Sequence, residues 1–363
     1  MRFHAAIPGA FRGRSALVTG HTGFKGGWLC EWLISAGARV TGFSLDPPTR
    51  PALFDQLGLS GRLEDIRGDV RDPKALQRAF DASCPDYVFH LAAQPIVRHS
   101  YVEPVETWST NVMGTAGVLE CLRKVERPCA AVIVTTDKCY QNREWLHGYR
   151  EEDALGGHDP YSSSKAAAEL AVASWRQSFF PAGHPVRIAS ARAGNVLGGG
   201  DWALDRILPD AVRALAKGAA VPVRNPGATR PWQHVLEPVG GYLLLAAALA
   251  GRAPASAPRD TLLGAFNFGP PIESNRTVRD VVEEVLRHWP GSWEDKSDAT
   301  QPHEAGLLNL TCDKAFHVLG WRPVWGFDET IRQTVAWYRE VGSGADPAEV
   351  TRRQIEQFAG GGG

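Results

Sequence analysis

Residues 15–26 read S-A-L-V-T-G-H-T-G-F-K-G. The first five form a short apolar strand, and glycines follow at Gly20, Gly23 and Gly26 as an apolar-periodic stretch begins. This spacing predicts a strand, a tight turn and a helix whose N-terminus allows close approach of a pyrophosphate. A glycine-rich turn alone is weak evidence, because any sharp strand-to-helix corner favours glycine. Its place in the first strand–helix unit strengthens the prediction of a dinucleotide site.

Short apolar strands alternate with helical patterns through the first half of the chain. Strands are predicted at 39–43, 63–67, 87–90, 130–135 and 186–192, and helices at 73–80, 106–124 and 161–179. Continuous apolar strands separated by helices indicate a parallel sheet that is buried on both faces. With right-handed crossovers this is an α/β, Rossmann-type doubly wound sheet, and its ligands bind beyond the carboxyl ends of the strands.

The pattern loosens in the second half. Turn signals such as Gly198–Gly200 separate shorter elements, and a helix predicted over 235–250 returns to the sheet. We predict a dinucleotide-binding domain over 1–193 with return elements near 232–268. A smaller C-terminal substrate-binding lobe is predicted over 194–231 and 269–345, followed by a flexible tail over 346–363.

The composition excludes several function classes. The 363 residues include 39 Lys and Arg against 40 Asp and Glu, a net charge of −1, so nothing favours a nucleic acid or an anionic membrane. No apolar run is long enough to span a membrane. The six cysteines form no Cys-X-X-Cys pair and are interpreted as reduced, mostly buried thiols. We expect a cytoplasmic protein with no metal site.

An acid follows the second predicted strand at a suggestive distance. Asp46 lies 20 residues past Gly26, close to the spacing at which a carboxylate binds an adenosine ribose, which favours NAD over NADP. If the strand ends at Phe43, however, Ser44 occupies the usual acid position. Asp69 is expected either to contact adenine or simply to form a turn.

Polar side chains cluster after the fifth strand and on the helix that follows. Tyr161 and Lys165 are four residues apart, so they share one helix face, where a lysine cation favours the phenolate and makes the tyrosine a usable base. Thr136, Asp137 and Lys138 directly follow the buried strand, at the edge where such sheets bind ligands. The alternative for this cluster is a solvated loop with a surface Asp–Lys pair.

Six stretches are informative together. They are 19–28 (T-G-H-T-G-F-K-G-G-W), 45–48 (L-D-P-P), 137–149 (D-K-C-Y-Q-N-R-E-W-L-H-G-Y), 159–165 (D-P-Y-S-S-S-K), 191–202 (A-R-A-G-N-V-L-G-G-G-D-W) and 229–238 (T-R-P-W-Q-H-V-L-E-P). In combination they resemble the nucleotide-sugar 4,6-dehydratases of the extended short-chain dehydrogenase/reductase family, and in particular their CDP-glucose branch. The similarity spans nearly the whole chain.

The resemblance implies a reaction. CDP-D-glucose would become CDP-4-keto-6-deoxy-D-glucose through C4 oxidation by NAD+, loss of water across C5 and C6, and return of hydride to C6. Tyr161 would remove the C4 hydroxyl proton, with Lys165 lowering its pKa and binding the nicotinamide ribose. Thr136 would bond the C4 oxygen, and Asp137 would protonate the departing C6 hydroxyl. The product would feed 3,6-dideoxyhexose formation for cell-surface polysaccharide.

Further residues are assigned to the ligands. The expected cofactor contacts are Gly20, His21, Thr22, Gly23, Phe24, Lys25, Gly26, Asp46, Asp69, Val70, Leu91, Ala92, Ala93, Tyr161 and Lys165. The expected substrate contacts are Gln94, Arg98, Asn195, Arg206, Arg224 and Arg230, since arginine forks suit diphosphate oxygens. In this family the helices at 106–124 and 161–179 pair across a two-fold axis, which implies a homodimer, with a tetramer as the alternative. Otherwise these helix faces simply pack on the sheet of the same chain.

One position narrows the resemblance to a single branch of the family. Better-known dehydratases carry Asp-Glu, with the Glu as the base at C5, whereas this chain has Asp137-Lys138, as expected in the CDP-glucose branch. A lysine acts as a base only when neutral, which requires a lowered pKa. Lys138 could instead orient the sugar, with water or Tyr161 as the base.

Two alternative functions stay open. One is a dehydratase for another nucleotide sugar, or a 4-epimerase, on the same scaffold; an epimerase needs no acid for a C6 leaving group. The other is a catalytically silent NAD-binding regulatory protein, against which the intact Thr136, Tyr161 and Lys165 argue.

Overall fold

The protein is described by a computed structural model that covers residues 7–181, 183–256, 259–297 and 307–360. The strands are β1 (Ser15–Thr19), β2 (Arg39–Ser44), β3 (Glu64–Arg67), β4 (Tyr87–His90), β5 (Cys129–Val134), β6 (Val186–Ala193), β7 (Val196–Leu197), β8 (Val221–Val223), β9 (Thr229–Pro231), β10 (Gln233–His234), β11 (Ala265–Phe268), β12 (Asn275–Thr277) and β13 (Trp293–Asp295). No helix in these ranges is long and apolar enough to cross a bilayer.

The helices pack on both faces of the main sheet and around the smaller lobe. They are α1 (Ile7–Phe11), α2 (Phe24–Ser35), α3 (Leu53–Gln56), α4 (Pro73–Ser83), α5 (Val97–Val102), α6 (Pro104–Trp108), α7 (Gly114–Arg123), α8 (Pro160–Phe179), α9 (Ile207–Leu215), α10 (Leu236–Leu249), α11 (Val278–His288), α12 (Asp313–Leu319), α13 (Phe327–Gly342) and α14 (Pro347–Gly360).

Seven strands form one parallel sheet in the order β11-β6-β5-β4-β1-β2-β3. All five residues of β1 and all six of β5 are buried, because helices cover both faces of the sheet. The chain order reverses between β1 and β4, and ligands of such sheets bind at that switch point. The predicted Rossmann-type doubly wound fold is confirmed.

The helix predicted over 106–124 is interrupted. A π-helical turn at Ser109–Met113 separates α6 from α7. Within it Asn111 accepts a bond from the Gln94 backbone N–H at 2.8 Å and donates to Ser164 Oγ at 2.9 Å. π turns of this kind frequently occur at functional sites, and this one braces the end of β4 against α8.

The prediction of a flexible tail over 346–363 is wrong for most of that range. Pro347–Gly360 is a helix, α14, that buries Val350, Ile355 and Phe358. The Phe358 ring meets the Trp32 ring of α2 edge-on, with centroids 5.9 Å apart. The apolar positions of this segment repeat at helical spacing, and this pattern outweighs the terminal glycines. Residues 361–363 lie outside the described ranges.

A separate hydrophobic cluster organises the second half. Helices α9, α11 and α13 pack together there around residues such as Leu208, Val282 and Ile331. Two short strand pairs, β8 with β13 and β9 with β12, lie beside it. The arrangement suits the smaller lobe that the sequence predicts, and its boundaries stay a prediction.

Candidate active site

The glycine turn between β1 and α2 is built by close backbone approach. Gly20 has a φ of +78°, and a Cβ on it would lie 2.6 Å from the Ala92 backbone nitrogen. A Cβ on Gly26 would lie 2.1 Å from the Gly20 carbonyl oxygen. Gly23 is the N-cap of α2; a Cβ there would meet no atom closer than 3.4 Å, and no side chain caps the helix N-terminus. These features fit an anionic pyrophosphate at that N-terminus.

Side chains of the turn bond to neighbouring strand ends. His21 Nε2 lies 2.9 Å from Asp65 Oδ1, and Thr22 Oγ1 lies 2.9 Å from Ser44 Oγ. Thr22 also donates to the Leu45 carbonyl at 3.1 Å. These contacts tie the turn to β2 and β3, so the turn offers a ligand mainly its backbone.

Three predicted adenosine contacts differ in their surroundings. The Asp46 side chain is 92 % exposed and 3.9 Å from Arg67, whereas Ser44 faces the glycine turn. Asp69 forms a forked pair with Arg71 on the surface, and Val70 packs in the core. The cofactor roles of Asp46, Asp69 and Val70 stay predictions, and β2 ends at Ser44 rather than at Phe43.

Thr136, Asp137 and Lys138 form a short polar turn directly after β5. Thr136 Oγ1 donates to Asp137 Oδ1 at 3.0 Å, and Lys138 Nζ reaches the same oxygen at 3.3 Å. Asp137 is fully buried, and its Oδ2 finds no hydrogen-bond partner among the described residues. The structure therefore keeps one carboxylate oxygen available beside a threonine hydroxyl and a lysine.

Helix α8 presents Tyr161 and Lys165 to the same cleft. Asp159 caps the helix by accepting from the Ser162 N–H at 2.9 Å, and Pro160 occupies the first turn. Burial raises the pKa of Tyr161 to about 12, opposed by a hydrogen bond with Thr136. Burial lowers the pKa of Lys165 to about 8, and its Nζ donates to the Val134 carbonyl at 3.4 Å.

The pKa of Tyr161 is not set mainly by Lys165, as the sequence led us to expect. The cation that lowers the pKa of Tyr161 is Arg206, while burial raises it more strongly. The Arg206 guanidinium donates to Asp201 Oδ2 at 2.8 Å. A lowering of the Tyr161 pKa by Lys165 stays a prediction for the enzyme with its ligands bound.

Lys25 lies among other charged side chains. Burial lowers the pKa of Lys25 to about 8, helped by the charges of Arg206, Lys165 and Lys138 and opposed by Asp137. A group of cations with one carboxylate suits an anionic substrate such as a diphosphate.

The predicted substrate residues divide into two groups. Asn195 lies in the cleft, where its Oδ1 accepts from Lys138 Nζ at 3.0 Å. Arg98 and Arg224 converge instead on Asp205, and Arg224 also donates to Asp210 at 3.2 Å.

Two further substrate candidates are Arg230 and Gln94, and the sixth, Arg206, pairs with Asp201 as described above. Arg230 donates to the Thr229 carbonyl at 2.9 Å. The Gln94 side-chain nitrogen donates to Thr107 Oγ1 at 2.8 Å, and the side-chain oxygen accepts from the Ile96 backbone N–H. All of these substrate roles stay predictions.

Two features of the site were missed at the level of sequence. A Cβ on Gly194 would lie 2.7 Å from Asp137 Oδ2, so only glycine leaves that oxygen its space. Glu169, one helical turn beyond Lys165, is buried and paired with Arg192. A lone acid within the apolar run A-A-A-E-L-A was the available signal for the second.

The geometry can be compared with known proteins. A family model described as GDP-mannose 4,6 dehydratase matches residues 17–334. CDP-glucose 4,6-dehydratase of Salmonella typhimurium is 45 % identical over 354 residues, covering 96 % of this chain and 97 % of the relative.

Solved structures give the same fold. UDP-glucose 4-epimerase of Thermus thermophilus in complex with NAD is 26 % identical, covers 89 % of this chain and 98 % of its own, and has a TM-score of 0.76. A dTDP-glucose 4,6-dehydratase of Streptomyces venezuelae, 24 % identical, has a TM-score of 0.75 with 92 % and 99 % coverage. The glycine turn, the polar strand end and the Tyr–Lys helix thus belong to a member of the GDP-mannose 4,6 dehydratase family.

Proposed function

We propose that this protein dehydrates CDP-D-glucose to CDP-4-keto-6-deoxy-D-glucose, as an NAD-dependent hydro-lyase. The observation that most strongly supports this function is the 45 % identity, over nearly the full length, to a CDP-glucose 4,6-dehydratase. The polar cleft supports it, because a threonine, an aspartate, a lysine and a tyrosine converge at the carboxyl end of β5.

The cofactor is NAD, which supplies a reversible two-electron acceptor when bound. The bare N-terminus of α2 would hold its pyrophosphate, and Lys165 would bond its nicotinamide ribose. Related structures contain NAD. Ser44 and the nearby backbone of Leu45 would meet the adenosine ribose; both are bonded to Thr22 of the glycine turn.

Tyr161 and Thr136 would act at the sugar C4. Thr136 lowers the pKa of Tyr161, so the two hydroxyls lie near each other, and a C4 hydroxyl beside both would meet a base and a second hydroxyl together. Burial, which raises the Tyr161 pKa, makes its phenolate strongly basic. A cation therefore has to stabilise the phenolate, and Lys165 and Arg206 are the candidates.

Asp137 would protonate the leaving C6 hydroxyl. Its Oδ1 already accepts from Thr136 and Lys138, which leaves the buried Oδ2 to carry and pass a proton.

Lys138 is the candidate base at C5. Its Nζ donates to two acceptors, Asp137 Oδ1 and Asn195 Oδ1, an arrangement that also suits an orienting ammonium. The Lys138→Ala variant separates the two roles through the exchange of the C5 hydrogen with solvent. Loss of exchange is expected of a base, and an unchanged rate excludes that role.

The decisive experiment is a substrate panel. Purified protein is incubated with CDP-, dTDP-, GDP- or UDP-glucose plus NAD+, and the alkali-induced absorbance of a 4-keto-6-deoxy sugar is measured. Signal with CDP-glucose alone is expected. Signal with another nucleotide keeps the reaction and overturns the CDP assignment.

A 4-epimerase is the second candidate, because an epimerase shares the fold with a TM-score of 0.76. It would convert the glucose of a panel substrate into galactose by inversion at C4, without producing the 4-keto chromophore. Asp137 argues against it, since an epimerase has no C6 leaving group to protonate.

We propose that the protein is a homodimer. Seven large apolar side chains stand exposed on α5, α6, the π turn and α8, and the first two helices pack on α8. They are Tyr101, Val102, Val105, Trp108, Met113, Leu170 and Phe179. Such a patch on one face is typical of an interface between copies. Light scattering should give twice the 39.4 kDa chain mass, and Val105→Glu with Leu170→Glu should give the monomer; a wild-type monomer overturns the proposal.

The proposed location is the cytoplasm, where the six free thiols stay reduced. The proposed product fits a role in 3,6-dideoxyhexose formation for cell-surface polysaccharide. Deletion of the gene should remove such sugars from the surface polysaccharide, and their persistence would contradict this role.

A further inference from the structure

Beneath the catalytic cleft lies a buried polar network centred on Glu169. Its Oε2 accepts from Ser190 Oγ at 2.7 Å and from Arg192 Nη2 at 2.8 Å, and its Oε1 accepts from Thr135 Oγ1. Each of these four side chains is at most 5 % exposed. The carboxylate therefore joins α8 to β6 and to the end of β5.

The network is charged and is held in that state. Burial penalises the carboxylate, but Arg192 and the two hydroxyls outweigh it, so the pKa of Glu169 lies below its ordinary value. Arg192 is in turn held by the Tyr140 hydroxyl at 2.8 Å and by the Glu151 carbonyl at 2.9 Å. A buried ion pair with this many bonds costs stability to assemble, so its retention suggests a further role.

Glu169 adjoins the Tyr–Lys pair. Tyr161, Lys165 and Glu169 are spaced by four residues each, so they form one stripe along α8. Thr135, which bonds Glu169, directly precedes Thr136, and Lys165 donates to the carbonyl of Val134 just before it. Glu169 thus bonds the residue next to Thr136 and lies one helical turn from Lys165, without reaching the cleft itself.

We propose that Glu169 is a positioning residue: its carboxylate sustains the ammonium charge of Lys165 one helical turn away and anchors the strand end that carries Thr136. This role rests on the function proposed above for Tyr161 and Lys165. The phenolate of Tyr161 requires a nearby cation, and Lys165 serves only while it is protonated.

The charges that face Lys165 single out Glu169. From β4, His90 is neutral because burial lowers its pKa to about 3. From the turn after β5, Cys139 is an uncharged thiol, because burial raises its pKa. From the glycine turn, Lys25 is a like charge. Glu169 is then the ionised group that opposes the desolvation of Lys165 and keeps its pKa at about 8.

The test is the pH profile of kcat/KM for CDP-D-glucose in the NAD-loaded enzyme. Glu169→Gln keeps the size of the side chain and removes the charge, so Lys165 should lose its proton at lower pH. The alkaline limb should move down by about one pH unit, which lowers activity about tenfold at pH 9 while the plateau at pH 6 stays within twofold. An unmoved limb overturns the proposal.

Ser190→Ala is the matched control. It removes one hydrogen bond to the same carboxylate and keeps the charge, so the limb should stay in place even if the melting temperature falls. If both variants lose activity equally at every pH, the network is only structural and the proposal is wrong.

Two further variants complete the test. If Glu169→Gln does not fold, the double variant Glu169→Gln/Arg192→Met removes both buried charges and should still show a downward shift, because Glu169 is the carboxylate that raises the Lys165 pKa. Lys165→Met tests the proposed function separately: full activity in that variant refutes the Tyr–Lys site itself and leaves the Glu169 measurement a distinct result.

Discussion

The glycine turn and the catalytic cleft lie at the same carboxyl edge of the sheet, yet they are stabilised in different ways. In the turn, shape comes from backbone packed on backbone, with Gly26 against the Gly20 carbonyl and Gly20 against Ala92. In the cleft, shape comes from polar side chains, and Asp137 Oδ2 and the Tyr161 hydroxyl are buried at an energetic cost. Changes in the turn should therefore affect folding first, and changes in the cleft should affect chemistry first.

The largest expected effect is on chemistry alone. Tyr161→Phe removes the proposed base and should lower kcat about 10³-fold, with an unchanged melting temperature. Tyr87→Phe is the control, because that hydroxyl is buried at the opposite end of the sheet, where it donates to the Ala10 carbonyl at 3.0 Å. A rate loss of similar size in both variants would refute a special role for Tyr161.

A methyl group in the turn should act on the fold. Gly26→Ala places its Cβ against three backbone atoms that cannot give way, so we expect a loss of roughly 3 kcal/mol in unfolding free energy. Gly23→Ala, with 3.4 Å of room, should keep the melting temperature of the wild type. Denaturant unfolding of the two variants measures the difference, and equal stability would contradict the backbone packing described.

Asp137→Asn should separate the two halves of the reaction. Removal of the acid should slow product formation about 10²-fold while C4 oxidation continues, so NADH absorbance should accumulate in a single turnover with CDP-D-glucose. No accumulation, with equal slowing of both steps, would place Asp137 in the oxidation step instead.

The smallest effect is expected from a buried carboxylate away from the cleft. Glu237 accepts the backbone N–H groups of Val324 and Trp325, and burial raises its pKa to about 8. The folded protein then holds this proton more tightly than the unfolded chain. Its stabilising contribution is complete below the unfolded pKa and is lost as the pH rises toward 8.

Glu237→Gln should remove that pH dependence. The variant should gain about 1.4 kcal/mol over the wild type for each pH unit between pH 5 and about pH 8 and little beyond, measured by denaturant unfolding. Glu283→Gln, at an exposed position, is the control, and its unfolding free energy should match that of the wild type at pH 5 and at pH 9. A variant that loses stability at pH 9 would show that the ionised carboxylate is favourable where it lies.

Local patterns predicted much of this molecule because they report local physics. Alternating apolar strands and helices indicated the parallel sheet, and β1 and β4 begin and end where the sequence placed them. The helix predicted over 106–124 was interrupted because Asn111 bonds Gln94 and Ser164, residues far apart in the chain. The acid predicted at Asp46 points to solvent, because Thr22 bonds Ser44 instead.

The sequence by itself determined the sheet, the glycine turn and the Tyr161–Lys165 pair, since each depends on residues a few positions apart. Only the tertiary structure decided that Glu169 of α8, Thr135 after β5 and Arg192 of β6 meet in one buried network. The physical reason is desolvation: a charge in the interior is stable only with partners close in space, and spacing along the chain carries no record of which distant residues supply them.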